Sequence, residues 1–199
     1  MSVRSETVEL VGEEAATNLA RTVVFAAAAA ATAPVTITHP LAPGIPITLQ
    51  TLWVYLAGLV LGPVWGAAAF ALYTVAGALG LPVFAGGAAG VGVLTSNTGG
   101  YIFGFVAGAF VVGLLAHGPT GLRDPRDLGF VRPVVALVAG TATIYAFGVA
   151  GLMVFVDLGL RTAVEVGVLP FLTVAAVKVA AAVGVVNADR VPWGDVVTR

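Results

Sequence analysis

The chain is poor in charge and has no cysteine, and both shortages exclude classes of protein. Only 10% of its 199 residues are charged, whereas a soluble domain carries about 25%. No Asp, Glu, Lys or Arg occurs from Thr22 to Leu122, a length over which a soluble fold would need surface charge. The absence of cysteine excludes disulfides, Cys-ligated zinc and iron–sulfur clusters. His39 and His117 are too few and too far apart for a His metal site, so we expect no metal and no cofactor.

The sequence also lacks the motifs of nucleotide binding and of catalysis. No Gly-x-x-x-x-Gly-Lys-Ser/Thr occurs, so the chain cannot bind ATP through a P-loop. The glycine-rich stretch 86–92 follows no predicted strand and lacks the downstream acid of a dinucleotide site. No Ser-His-Asp set and no paired carboxylates lie in the apolar segments, so we expect no enzyme. The net charge of -1 argues against nucleic acid as a partner.

The chain is rich in apolar residues, which make up 59% of it and give a mean hydropathy of +1.03. A transmembrane helix needs about 20 mostly apolar residues. These numbers predict an all-α integral membrane protein with one compact domain in the lipid bilayer. Apolar runs bounded by Gly and Pro predict six transmembrane helices, over 19–38, 47–62, 64–80, 99–117, 133–156 and 168–187. Residues 81–98 are glycine-rich and predict a re-entrant or capping loop.

Polar segments flank the membrane domain and indicate its orientation. Residues 1–18 form an acidic N-terminal tail, unlike the positive start of a signal peptide; 19–187 form the membrane domain and 188–199 a C-terminal tail. Six spans place both termini on one side. That side carries seven of the eight arginines and the other side only Arg161. The positive-inside rule therefore predicts cytoplasmic termini at the cell membrane, with outward loops at 39–46, 81–98 and 157–167.

Polar side chains beside Gly and Pro breaks in the uncharged segment 44–101 are candidates for a ligand site. Thr48 and Gln50 begin the second span, either as a polar cap at the membrane interface or as groups that bind an amide-like ligand. Tyr73 lies mid-span, where its hydroxyl needs a partner. The remaining candidates here are Asn97, Thr98 and Tyr101, which flank Gly99 and Gly100, a pair that allows close backbone approach to a ligand or merely forms a turn.

Three further features have structural interpretations. Trp53, Tyr55 and Trp65 are interpreted as interfacial belt residues. Glycines recur every four residues at 58–66 and at 100–108, and this spacing indicates close internal helix packing. The alanine run at 26–31 fits a plain helix or a smooth face against a partner helix equally well.

Lys178, the only lysine, is predicted halfway through the sixth span. A cation at that depth costs several kcal/mol unless it is paired or reaches water. Asp157 and Glu165 should both lie in the outer loop, more than a helical turn away. We therefore expect Lys178 to line a water-accessible cavity and to contact polar ligand atoms.

Several motifs occur together in one order within residues 46–101. They are Pro46-Ile-Thr-Leu-Gln-Thr51, Leu56-Ala-Gly58, Leu61-Gly-Pro63, Gly80-Leu-Pro-Val-Phe-Ala-Gly86 and Thr98-Gly-Gly-Tyr101. This set resembles the BioY family, the biotin-binding S components of energy-coupling factor (ECF) transporters, over roughly residues 44–185. Ile144-Tyr-Ala-Phe-Gly148 and Leu169-Pro-Phe-Leu172 resemble the family as well.

The resemblance implies a six-helix, ECF S-component-like bundle that captures biotin from outside. Its partners would be a transmembrane coupling (T) protein and cytoplasmic ATPase subunits. The resemblance and the polar pattern together give one set of expected substrate-binding residues: Thr48, Gln50, Tyr73, Phe84, Asn97, Thr98, Gly99, Gly100, Tyr101, Tyr145 and Lys178. The preferred partner of Lys178 is the valerate carboxylate of biotin, and the ureido carbonyl is the second choice.

The chain departs from the family pattern at two places. Ser96-Asn97 stands where the family commonly has Gly-Pro, and Val174-Ala175 stands where it has Gly-Asp, so the acid that the family places near Lys178 is absent. Two alternatives stay open at this point: an S component for another small vitamin, and a non-transporting membrane scaffold whose glycine ridges mediate assembly.

Overall fold

The structure, a computed structural model, describes residues 12–42, 44–119, 122–123 and 125–188. Within these residues the chain is mostly helical. The elements in chain order are α1 (Glu13–Thr32), β1 (Ile37–Thr38), β2 (Pro46–Ile47), α2 (Gln50–Ala78), α3 (Gly99–His117), α4 (Val131–Phe155), α5 (Leu160–Gly167) and α6 (Leu172–Val186). Short 3-10 turns at Ala85–Gly87, Val91–Thr95, Pro125–Leu128 and Leu169–Phe171 connect them.

Four helical stretches in the described part of the chain are long and apolar enough to cross a membrane. They are α2, α3, α4 and the stretch Leu160–Val186, which contains α5 and α6. A chain with this many such helices is a membrane protein by composition and length. The predicted number of six separate spans is not confirmed: α1 is not among the four, and the second and third predicted spans are continuous in α2.

Helix α2 folds back on itself at Gly62. Gly62 has φ 75° and ψ -172°, values outside the helical region, and Pro63 follows it. The side chain of Gln50 at the start of α2 donates a hydrogen bond to the hydroxyl of Tyr73, and a straight helix would separate these residues by about 34 Å at 1.5 Å per residue. A Cβ atom on Gly66 would lie 3.0 Å from the carbonyl oxygen of Ala57. The break predicted between residues 62 and 64 is therefore present, and the two arms of α2 pack side by side.

Glycines allow α3 to approach its neighbours closely. A Cβ atom on Gly108 would lie 2.7 Å from Ile144 of α4, and one on Gly100 would lie 2.8 Å from the Cα of Gly151. On the other side of α3, a Cβ atom on Gly113 would lie 2.6 Å from the Cα of Pro63 at the turn of α2. The predicted internal packing role of the glycine series at 100–108 is confirmed.

Two loop regions cover the end of the bundle at which α2 and α3 begin. Strands β1 and β2 pair antiparallel, with Ile37 opposite Ile47. The 81–98 loop is tied to the end of α1, because the backbone N–H of Gly86 donates to the carbonyl of Ala33 at 3.0 Å. It is tied to the loop between β1 and β2 by the Asn97 side chain, whose Nδ2 donates to Gly44 at 2.6 Å. The interpretation of 81–98 as a capping loop agrees with these contacts.

The structure differs from the predicted boundaries in two places. Helix α1 covers Glu13–Thr32 instead of 19–38, and β1 takes up residues 37–38. The segment 157–167, predicted as a loop, contains the short amphipathic helix α5, whose buried side carries Ala163 and Gly167. Eight residues extend only about 12 Å, so α5 by itself is too short to cross a bilayer. The predicted N-terminal tail falls mostly outside the described residues.

Candidate functional site

A cavity lies beneath the two capping loops, between α2, α3, α4 and α6. Its walls are formed by a few residues from each element, spaced three or four apart so that they share one helix face. The lining residues are Ile45, Pro46, Ile47, Thr48, Gln50, Thr51, Tyr55, Ala85, Thr98, Tyr101, Ile102, Phe105, Thr141, Ile144, Tyr145, Phe171, Val174, Ala175 and Lys178. A mostly apolar wall with a few polar groups is the usual form of a small-molecule site.

Lys178 extends from α6 into the cavity and is bound by the first arm of α2. Its Nζ donates to the backbone carbonyl of Thr48 and to Oγ1 of Thr51, both at 2.5 Å. An ammonium has three donors, so one remains after these two bonds. Lys178 forms no ion pair within the described residues; the pair found there is Arg161–Glu165, which is exposed on α5. Lys178 is therefore solvated by neutral oxygens and not by a carboxylate, as the missing family acid suggested.

Gln50 is buried and joins the first arm of α2 to the second. Its Oε1 accepts a hydrogen bond from the Thr48 hydroxyl at 2.7 Å, and its Nε2 donates to the Tyr73 hydroxyl. Tyr73 in turn donates to the carbonyl of Val83 in the capping loop at 2.6 Å. One N–H of the amide stays available for a ligand. Gln50 thus positions the wall of the cavity as well as facing it.

Tyr101 and Tyr145 reach the cavity from α3 and α4. The hydroxyl of Tyr101 donates to the carbonyl of Gly167 at 2.8 Å, and that of Tyr145 to the carbonyl of Phe171 at 3.3 Å. Both bonds fasten the segment between α5 and α6 to the bundle. The ring of Phe171 lies 6.0 Å from that of His39 in the loop between β1 and β2.

The structure brings six of the eleven candidate residues to the cavity wall. These are Thr48, Gln50, Thr98, Tyr101, Tyr145 and Lys178. Thr48 and Gln50 are both buried and hydrogen-bonded to each other. The Thr48 hydroxyl also accepts from the backbone N–H of Gln50 at the start of α2, at 3.3 Å, so it caps the helix as well as lining the cavity.

The other five candidates lie near the cavity but do not line it. Tyr73 and Phe84 stand behind Gln50, with their rings edge to face at 5.6 Å between centroids. Asn97 binds the opposite loop instead of facing the cavity. Gly99 and Gly100 serve close packing, against the backbone of Leu94 and of α4 respectively. Their part in the site is to hold its walls.

Sequence reasoning missed three polar lining residues: Thr51, Tyr55 and Thr141. Thr51 and Tyr55 lie four residues apart, about one helical turn, on the side of α2 that lines the cavity together with Gln50. This spacing of polar residues in an apolar span could have indicated both of them. Tyr55 was interpreted as an interfacial belt residue, and this interpretation is wrong: only 1% of it is exposed. Its hydroxyl lies 2.5 Å from Oγ1 of Thr141.

The chemistry of the wall suits a small ligand with an apolar body and polar ends. Lys178 offers a cationic donor, Gln50 an amide N–H, and the tyrosines offer phenolic oxygens. Rings of Phe105 and Phe171 and the side chain of Ile144 supply apolar surface. No group of three His, Asp or Glu side chains able to hold a metal ion occurs in the described part of the chain.

Comparison with known proteins identifies a family and several relatives. The model of the BioY family matches residues 4–191. The chain is 42% identical over 146 residues to "Biotin transporter BioY" of Thermotoga maritima, covering 73% of this chain and 80% of the relative. It is 41% identical over 139 residues to "Probable biotin transporter BioY" of Pyrococcus horikoshii, covering 70% of this chain and 76% of that one.

A solved structure has the same fold. It is described as the crystal structure of the S-component for biotin from an ECF-type ABC transporter. The TM-score is 0.75 at 20% sequence identity, over 89% of this chain and 93% of the other. At this identity the likeness supports the fold, and the family model and the relatives supply the classification. This chain belongs to the BioY family.

Proposed function

We propose that the chain takes up biotin across the cell membrane as the high-affinity, substrate-binding S component of an ECF-type transporter. The observation that carries the proposal is the loop-covered cavity that holds Lys178, Gln50 and three tyrosines in a chain of the BioY family. Relatives that are 42% and 41% identical to it, over 73% and 70% of this chain, are named as a biotin transporter and a probable biotin transporter. Biotin offers a carboxylate, two ureido N–H groups, a ureido carbonyl and an apolar thioether ring, a set that these groups complement.

Within this proposal, Lys178 binds the valerate carboxylate of biotin. Its ammonium has a free donor, and no carboxylate of the described residues pairs with it, so an anionic ligand meets an uncompensated positive charge. The apolar rings of the wall hold the thioether ring, and Gln50 and the tyrosines remain for the ureido end. The ureido carbonyl is the second choice of partner for Lys178.

The test is titration of detergent-solubilised protein with biotin, with one site per chain expected. Labelled biotin should be retained on the purified chain, and other small vitamins should not compete. Absence of heat and of retention would refute a biotin site. Displacement of biotin by another vitamin would favour an S component for that vitamin, and binding of neither would favour a membrane scaffold.

The proposed orientation has both termini in the cytoplasm and the capping loops outside. It takes α1, the two arms of α2, α3, α4 and α6 as six crossings, and it is motivated by the arginine distribution. The chain has no cysteine, so single labels are unambiguous. Ala88→Cys in the capping loop is exposed and has φ -67°, so the substitution is unstrained. It should react with an impermeant thiol reagent in whole cells, and less so with biotin present.

Asp127→Cys is the control at the opposite end of the bundle, where Asp127 is exposed between α3 and α4. It should react only after permeabilisation. The reverse pattern for the two labels would overturn the orientation.

The proposed partners are a transmembrane T protein and a pair of cytoplasmic ATPases. The motivation is that the chain has no P-loop with which to use ATP itself. Purification of the tagged chain from its own membranes should bring down these subunits. Uptake of biotin in proteoliposomes by the chain alone at the full cellular rate would contradict this requirement.

A further inference from the structure

Tyr55 and Thr141 form a pair of hydroxyl groups on the wall of the cavity, one from α2 and one from α4. Both residues line the cavity, and their hydroxyl oxygens are 2.5 Å apart. The distance alone leaves open which hydroxyl donates the proton. The answer decides what Tyr55 can offer to a ligand, because a phenol that has donated its proton can only accept.

The partner of Thr141 on its own helix decides the direction. Oγ1 of Thr141 donates to the carbonyl oxygen of Leu137, one turn earlier in α4, at 2.7 Å. A carbonyl oxygen cannot donate, and a threonine hydroxyl has one proton. The Thr141 oxygen must therefore accept in its bond with Tyr55, and Tyr55 donates.

The Tyr55 oxygen then faces the cavity only as an acceptor. Thr141 is the partner that the structure gives this hydroxyl within the described residues, and a phenolic oxygen has a lone pair left after one donated bond. Tyr101 and Tyr145 also face a ligand only as acceptors, since each hydroxyl donates its proton to a backbone carbonyl. Of the three, Tyr55 is the most deeply buried, with 1% exposed, so water competes least for its lone pair.

We propose that Tyr55 is a hydrogen-bond acceptor for an N–H group of the ligand, and that Thr141 is the positioning residue that keeps it an acceptor. The ligand chemistry is a urea or amide N–H, and for biotin it is one of the two ureido nitrogens. The inference rests on the proposed function for the identity of the ligand. In this proposal the cavity wall offers the ligand both a donor, Lys178, and a buried acceptor, Tyr55.

The experiment measures the dissociation constants of full-length variants in detergent by titration with biotin and with the two derivatives methylated at one ureido nitrogen. Tyr55→Phe keeps the ring and removes the acceptor. It should weaken biotin about ten- to a hundredfold, because a ligand N–H is left unpaired in a buried site. The derivative methylated at the nitrogen that faces Tyr55 has no N–H to lose, so its affinity should be the same for wild type and Tyr55→Phe.

Variants of Thr141 test the positioning role. Thr141→Val should weaken biotin about tenfold, because the proton of Tyr55 loses its acceptor and turns toward the ligand N–H. Thr141→Ser keeps the hydroxyl and should retain wild-type affinity. Thr143→Val is the matched control: Thr143 makes the same bond to the carbonyl four residues earlier, at 2.9 Å, and is not part of the cavity wall.

The outcomes separate the two proposals. Wild-type protein that does not bind biotin would overturn the proposed function, and this inference with it. Wild-type binding that is unchanged in Tyr55→Phe would overturn the inference alone. An equal loss for biotin and for both methylated derivatives would also overturn it, because Tyr55 would then act only through the shape of the cavity.

Discussion

Replacement of Lys178 by Met is the sharpest test of how the cavity recognises an anion. Met keeps an unbranched side chain of similar length and removes the charge. In the structure the ammonium donates to the Thr48 carbonyl and the Thr51 hydroxyl and has one donor left. The variant therefore loses the ligand contact together with two bonds inside the protein, and a single affinity cannot separate these losses.

Comparison of biotin with its uncharged amide separates them. A hydrogen bond to a charged group contributes about 1.5–3 kcal/mol. The ammonium and the biotin carboxylate are both charged, whereas with the amide only the ammonium is charged, so its bond to the amide is the weaker one. If Lys178 binds the carboxylate, Lys178→Met should weaken biotin roughly ten- to a hundredfold, and the amide by a clearly smaller factor. The loss of bonds to Thr48 and Thr51 affects both ligands equally and cancels in the ratio.

The measurement is isothermal titration of both ligands with both proteins at one salt concentration. Arg161→Met is the control for removal of a positive charge, since Arg161 is exposed on α5 and its ion-pair partner in the described part of the chain is Glu165. It should leave both affinities within about twofold, as expected of a surface ion pair. Equal losses for the two ligands in Lys178→Met would move the lysine to the ureido carbonyl, and no loss would show it to be structural. Either result would refute the carboxylate assignment.

Three further predictions follow from contacts within the bundle and between its capping loops. Gln50→Ala should lower the thermal midpoint in ligand-free protein as well as the affinity for biotin, since a buried amide that joins the arms of α2 is lost; a change in affinity alone would contradict its positioning role. Gly113→Ala should destabilise the protein by about 1–3 kcal/mol in thermal unfolding, because the added Cβ would overlap backbone atoms at the turn of α2. Gly184→Ala is its control: a Cβ there has nothing within 4 Å, so the same measurement should show no change or a slight stabilisation. Asn97→Ala removes the bond to Gly44 between the capping loops and should speed dissociation of labelled biotin roughly two- to fivefold; an unchanged rate would show that the loops do not open at this contact.

The sequence predicted those parts of the fold that depend on length and on chain breaks. The span 99–117 coincides with α3, and the break at Gly62 was indicated by the Gly-Pro pair. Strands β1 and β2 escaped prediction because two residues are too few to show an alternating pattern. Helix α5 escaped because its eight residues are amphipathic and too few for a transmembrane helix, which was the pattern sought in this chain. The first span was predicted over 19–38 from its apolar run, whereas the helix covers Glu13–Thr32. The apolar run and the helix are therefore different segments.

The candidate site was predicted less completely than the fold, for a physical reason. The spans are apolar on most faces, so hydrophobic periodicity alone does not show which face lines a cavity. Lys178 could be placed because a lone cation in a span has few alternatives. Tyr55 was not placed, because tyrosines are enriched at membrane interfaces and its spacing from Thr51 was not used. Asn97 stands beside a glycine pair, yet its contact lies 53 residues away in sequence at Gly44.

The polar groups of the cavity also hold its cover in place. Thr48 supplies its carbonyl to Lys178 and its hydroxyl to Gln50. Gln50 continues through Tyr73 to the carbonyl of Val83, within the loop that covers the cavity. Because each of these groups has its partner within the protein, this chain of hydrogen bonds can stand in a segment without charge. Within the described residues no carboxylate neutralises Lys178, so the wall of the cavity keeps one positive charge.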